Sequence, residues 1–82
     1  MSATTLDGLA IYELATIIHN DWVKPNYAAV PYIEAMLSLE NIEDFYGLDS
    51  ARSVVSYFLS NAASWRGAEA RAVKAELKRR VR

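Results

Sequence analysis

Arg71, Lys74, Lys78 and Arg82 stand at i, i+3, i+7 and i+11, so a helix lines them on one face, with Arg79 at its flank. A cationic stripe of this kind neutralises phosphates and gives nucleic-acid or anion binding that ignores sequence and weakens with salt. The same residues have two plainer uses. Cations near a helix C-terminus are favoured by the macrodipole, and Glu76 can pair with Arg80 at i+4. An acidic protein surface is a further ligand for the stripe.

Aromatic residues supply the second candidate. Trp65 and Arg66, beside Tyr57, have the composition of an interface hot spot, which predicts a partner-binding surface. The alternative is that these rings, with Tyr27, Tyr32 and Tyr46, pack inward and keep only their polar tips wet.

Catalytic groupings are scarce. His19 is the sole histidine and has no carboxylate at i±3 or i±4 to orient it as a base. Glu40, Glu43, Asp44 and Asp49 form an acidic stretch, but without the alternating ligands and central glycine of a calcium loop. No serine lies in a Gly-x-Ser-x-Gly elbow, and Gly8, Gly47 and Gly67 are isolated. With no cysteine, thiolate metal sites and disulfides are excluded. The expectation is a binding protein with no enzyme activity, cofactor or metal.

The elements that must position these side chains are helical. Leu6, Ala10, Ile11, Leu14, Ala15, Ile17, Ile18 and Trp22 fill about half of a helical wheel, wider than one contact stripe, so a first helix is gripped on two sides. Thr4 and Asp7 have capping-box spacing at its start, and Lys24-Pro25-Asn26 ends it. A second helix runs from near Val30 to Ser38, with Pro31 in its first turn. Asn41 and Asp44 cap a short helical turn near 41–46 that Gly47 stops. Asp49 or Ser50 caps a third helix with Val54, Val55, Phe58, Leu59 and Ala62 inward. Ser64 opens a fourth, in which Val73, Leu77 and Val81 step by four. Strand alternation and Asn-Gly or Asp-Gly hairpins are missing. The expected fold is all-α, a compact bundle of about four helices forming a single domain over 1–82.

Charge is split along the chain. Residues 1–50 carry eight acids and one base; residues 51–82 carry eight bases and two acids. Acidic helices packed beside a basic one would neutralise this internally, whereas separate surfaces would serve different partners. The longest uncharged run, Ser53 to Trp65, is too short to span a bilayer, and no basic leader precedes the first apolar positions. The expectation is a soluble cytoplasmic protein without membrane contact. So small a core also favours self-association into a homo-oligomer.

The run AVPYIEAMLSLENIEDFYGLDSARSVVSYFLSNAASWRGAEARAVKAELK, residues 29–78, resembles short proteins encoded by tailed bacteriophages and prophages. They share the order AVPY, YG before an acid, YFL-x-NA, WRG, then a basic helix ending in ELK; HNDWVKPNY at 19–27 fits loosely. The resemblance implies a phage- or prophage-encoded protein acting in a bacterial host cell by binding a host or phage protein, a defence component or a small signalling molecule, and it transfers no catalytic residue. The leading expectation is therefore a self-associating protein-binding module using Trp65, Arg66 and Tyr57. The alternatives are nucleic-acid binding through Arg71, Lys74, Lys78, Arg79 and Arg82, and an oligomeric sponge for an anionic nucleotide that uses the same cations.

Overall fold

The computed structural model describes residues 6–82, so the expected Thr4 cap lies outside the described residues. Leu6–Gly8 make a single 3-10 turn and α1 begins only at Ile11, running to Asp21. The later start has a local cause. Glu13 Oε1 accepts the Ala10 N–H at 2.7 Å, half of a capping box, since Ala10 has no side-chain oxygen to return the bond. The next N–H groups, of Ile11 and Tyr12, donate to the carbonyls of Glu40 and Leu39 at 2.9 and 2.8 Å. The chain after the second helix thus satisfies the orphan donors of the first.

A 3-10 turn at Tyr27–Ala29, held by Asn26 Oδ1 accepting from the Ala28 N–H, leads into α2, Val30–Met36. Pro31 sits in its first turn, where no N–H is needed. α3 spans Ala51–Ser60 with Ser50 as its cap, the Ser50 Oγ accepting from the Ser53 N–H. α4 spans Ala68–Val81. The four helices pack in a ring: α1 on α2, α2 on α3, α3 on α4 and α4 back on α1. Ile11, Leu14, Ala15 and Ile18 of α1 are fully buried, so its wide apolar arc is consumed by α2 and α4. Ile33 and Met36, Val54, Val55 and Phe58, and Val73 and Leu77 complete the core from the other helices. Each such side chain contributes about 1.5–3 kcal/mol through burial. No helix among the described residues is long and apolar enough to cross a membrane.

The fold is mostly α but not purely so. In place of the expected helical turn at 41–46, Phe45–Tyr46 (β1) and Asp49–Ser50 (β2) pair antiparallel, Phe45 opposite Ser50 and Tyr46 opposite Asp49. Gly47 has φ +63° at the first central position of the two-residue loop, as a II′ hairpin turn requires. The expected cap of Asn41 on Asp44 runs the other way. Asp44 Oδ2 accepts from the N–H groups of Glu40 and Asn41, and its carbonyl accepts from the Ala51 N–H at 2.7 Å. One carboxylate ties the loop, and its own backbone ties the hairpin to α3. The expected opening of α4 at Ser64 is also corrected: residues 61–67 form a turn that carries Trp65 into the core before the helix starts.

Candidate anion-binding face

Gly67 precedes α4 with φ +113° and ψ 179°, a backbone region reserved almost entirely for glycine. The reversal it permits fixes the phase of the helix. With Ala70, Val73 and Leu77 buried, steps of 100° sort the charged residues onto opposite flanks. Glu69 lies toward α1, lining a shallow recess with Ile17, Asn20 and Asp21. Glu76 faces that same side, where it holds Arg79 and Arg80. Lys74, in contrast, turns toward the α3–α4 connection and donates to the carbonyls of Ala62 and Trp65 at 2.9 and 2.7 Å. Arg71 and Lys78 share the Lys74 flank. α3, the helix beside it, contains no carboxylate at all.

Lys74 is the centre of this face. A cleft of about 200 Å³ is lined by Trp65, Arg66, Gly67, Arg71 and Lys74, with Ala63 and Ala70. Burial lowers the Lys74 pKa from its ordinary value, and repulsion from Lys78 and then Arg66 lowers it further. Lys78 and Arg66 thus stand close enough to Lys74 to act on its charge. The ammonium lies 6.0 Å from the Trp65 ring centroid, at the outer limit of a cation–π contact. Its two carbonyl bonds leave one of three ammonium protons for a ligand. Among the described residues, no ion pair engages Arg66, Arg71, Lys74 or Lys78.

Arg79 does not belong to the face. Its guanidinium donates twice to Glu76, on the flank away from Lys74. Arg80 donates to Glu76 at 2.6 Å and to the carbonyls of Leu9 and Leu6 at 2.7 and 2.8 Å, pinning the segment ahead of α1 to α4. The expected i+4 pair of Glu76 and Arg80 is therefore present, and within the core-facing wall. Arg82 is exposed at the far end of the stripe. Arg52 donates to the carbonyls of Arg80 and Arg82, filling acceptors that the end of α4 leaves open. It also makes the one ion pair joining residues 1–50 to 51–82 among the described residues, with Glu43 at 3.6 Å. Arg79 and Arg80 also line a recess with Asp7, Glu13, Glu40 and Glu43, so the two charged halves meet there, whereas the Lys74 flank of α4 carries no ion pair among the described residues.

The expected surface of Trp65, Arg66 and Tyr57 does not assemble. Trp65 is 2% exposed, stacked on Trp22 at 5.9 Å and edge-on to Phe58 at 6.4 Å, so it is core. Its indole N–H donates to Asp21 Oδ2 at 2.8 Å. Arg66 is exposed and joins the basic cleft. Tyr57 is 56% exposed on α3, stacked at 5.5 Å on Tyr32 of α2, and lines a second cleft with Ser53, Ser56, Arg52 and Val81. Sequence spacing gives no sign of the contacts of Trp65 with Asp21 or Tyr57 with Tyr32, because each joins residues far apart in the chain. His19 is exposed on α1. No group of three or more His, Asp or Glu side chains is arranged around a common point among the described residues.

No family model, curated protein or solved structure matches this chain.

Proposed function

We propose that this protein binds the phosphate backbone of a nucleic acid through the face shared by α3 and α4. The observation that carries the reading is the sorting of charge on α4. Both of its carboxylates turn toward α1, while Arg66, Arg71, Lys74 and Lys78 stand together beside a helix without acids. The net charge of −1 does not oppose it, since the acids are concentrated in residues 1–50. A dipolar surface of this kind orients an approaching polyanion.

Fluorescence anisotropy with a labelled oligonucleotide between 50 and 200 mM salt tests the reading. Each phosphate neutralised contributes a slope of about −0.7 to −0.9 in log K against log salt. Arg71→Gln and Lys78→Gln should each flatten the slope by about that amount, while Arg79→Gln leaves it unchanged. Binding that is absent at low salt, or insensitive to these two cations, removes the proposal. An anionic nucleotide is the small-molecule form of the same ligand, and excess absorbance at 260 nm in the purified protein would point to it.

A protein partner, a second copy of this chain included, is the second reading. It rests on the hairpin, where Phe45 is 66% and Leu48 99% exposed beside Tyr46. Singly exposed apolar residues are ordinary, but three of the six residues of this hairpin are large, apolar and exposed. Light scattering of the wild type and of Leu48→Ser decides it: an assembly that the substitution dissolves supports it, and an unchanged mass counts against it.

A further inference from the structure

We infer that the nucleic acid this face fits is single-stranded, with Tyr57 as the platform on which an unpaired base stacks. The inference rests on the backbone-binding reading and goes beyond it by naming the substrate class. Tyr57 and Phe58 are consecutive on α3, and only Phe58 enters the core, where it is fully buried. Tyr57 stands outside, its ring held against Tyr32 at an interplanar angle of 28°. The contact fixes the ring from one side and reduces the ordering cost of stacking a base on it. Asn61 adds to the rigidity of this turn by donating to the Tyr57 carbonyl at 2.8 Å.

The cleft beside the platform reaches the C-terminal end of α4, the helix that carries the cations. Tyr57 shares its cleft, about 390 Å³, with Ser53 and Ser56 of α3 and with Arg52 and Val81. Val81 belongs to the end of α4 where Lys78 and Arg82 follow the basic stripe, and Arg52 is anchored on the carbonyls of Arg80 and Arg82. A strand lying along α4 would place phosphates on Arg71, Lys78 and Arg82 and turn bases across α3 toward Tyr57. Ser56, exposed in the same cleft, carries a hydroxyl that can donate or accept. In a duplex both faces of each base are already stacked, so Tyr57 would have nothing to engage. Aromatic stacking beside a cationic track is how proteins hold unpaired strands without regard to sequence.

The test compares a single-stranded oligonucleotide, the matching duplex and inorganic polyphosphate, which has charge but no base. Wild type should bind the single strand at least fivefold more tightly than the duplex at equal salt. Tyr57→Ala should lose about tenfold for the single strand, the scale of one stacked base, and leave polyphosphate affinity unchanged. Tyr57→Phe should retain affinity, because the ring and not the hydroxyl does the stacking. Tyr57→Trp should show emission quenching on adding the single strand and none on adding polyphosphate. Equal binding of single strand and duplex, with Tyr57→Ala neutral, overturns the inference and leaves the backbone reading standing. Loss of polyphosphate binding in Tyr57→Ala assigns the ring a purely structural role and likewise overturns it. Failure to bind any of the three polyanions at low salt overturns both.

Discussion

Trp65 donates its indole N–H to Asp21 at 2.8 Å across 44 residues of sequence, closing the α3–α4 connection onto the end of α1. The ring itself stacks on Trp22 and meets Phe58 edge-on, so one side chain joins three parts of the ring of helices. Asp21→Ala should cost about 1.5 kcal/mol, the lower end for a bond to a charged acceptor, because Asp21 remains exposed. Trp65→Ala removes the ring as well and should cost about 3–5 kcal/mol. Urea denaturation followed by circular dichroism measures both; equal losses would mean that the ring packing contributes nothing.

Four helices were legible because their apolar residues recur at helical steps, and the arc of α1 announced two neighbours. The hairpin was hidden for a physical reason. Strands of two residues have no alternation to detect, and Phe45 and Tyr46 look like half of a helical stripe. One signal was available: glycine followed by another residue is the II′ turn pattern, and Gly47-Leu48 has it. Ser64 resembled a helix cap because it precedes a helical run. The burial of Trp65 requires the chain to stay turned until Gly67, and spacing alone does not encode that depth. The basic stripe was readable as a face. Which of its members are engaged elsewhere depended on Glu76 and on the Ala62 and Trp65 carbonyls, which only the packed helices bring near.

The two positive-φ glycines should both resist substitution. Gly47, at φ +63°, opens the II′ turn of the hairpin, a position that favours glycine even though a Cβ there meets nothing within 4 Å. Gly47→Asn should therefore lose about 1 kcal/mol. Gly67 is in the extended mirror region that is closed to side chains, so both Gly67→Asn and Gly67→Ala should lose about 1–3 kcal/mol despite equally open space. Thermal melts of the three variants decide it. A Gly67→Ala melt equal to that of wild type would show that α4 does not need this backbone geometry.

Acid should expose the Glu76 cluster. Hydrogen bonds from Arg79 and then Arg80 hold the Glu76 carboxyl below its ordinary 4.5, against the opposing effect of burial. The folded state therefore binds the proton less readily than the unfolded one. The stabilisation is complete above pH 4.5 and is lost as pH falls through the lowered folded value. Glu76→Gln should cost ~2–3 kcal/mol at neutral pH, less than a fully buried pair because Arg80 keeps two carbonyl acceptors. Its stability should also vary less than wild type below pH 4.5. Parallel acid-dependence curves would show that Glu76 is not the group responsible.

Lys74 makes the opposite prediction at high pH. Its folded pKa is lowered, first by burial and then by Lys78 and Arg66, so its charge is a penalty in the free protein. Between the lowered value and 10.5 the unfolded chain holds the proton that the folded chain has released. Stability attributable to Lys74 thus rises with pH across that window. A bound phosphate reverses the balance, since it favours the ammonium and restores the proton. Affinity for a polyanion should accordingly begin to fall below pH 10.5, before ordinary lysines titrate. Lys74→Gln should bind more weakly at pH 7 and lose that early decline. The comparison of wild type with Lys74→Gln, by anisotropy at constant ionic strength from pH 7 to 10, isolates this residue from the other lysines. An unchanged decline in the variant would place the titrating group elsewhere and remove Lys74 from the ligand's contacts.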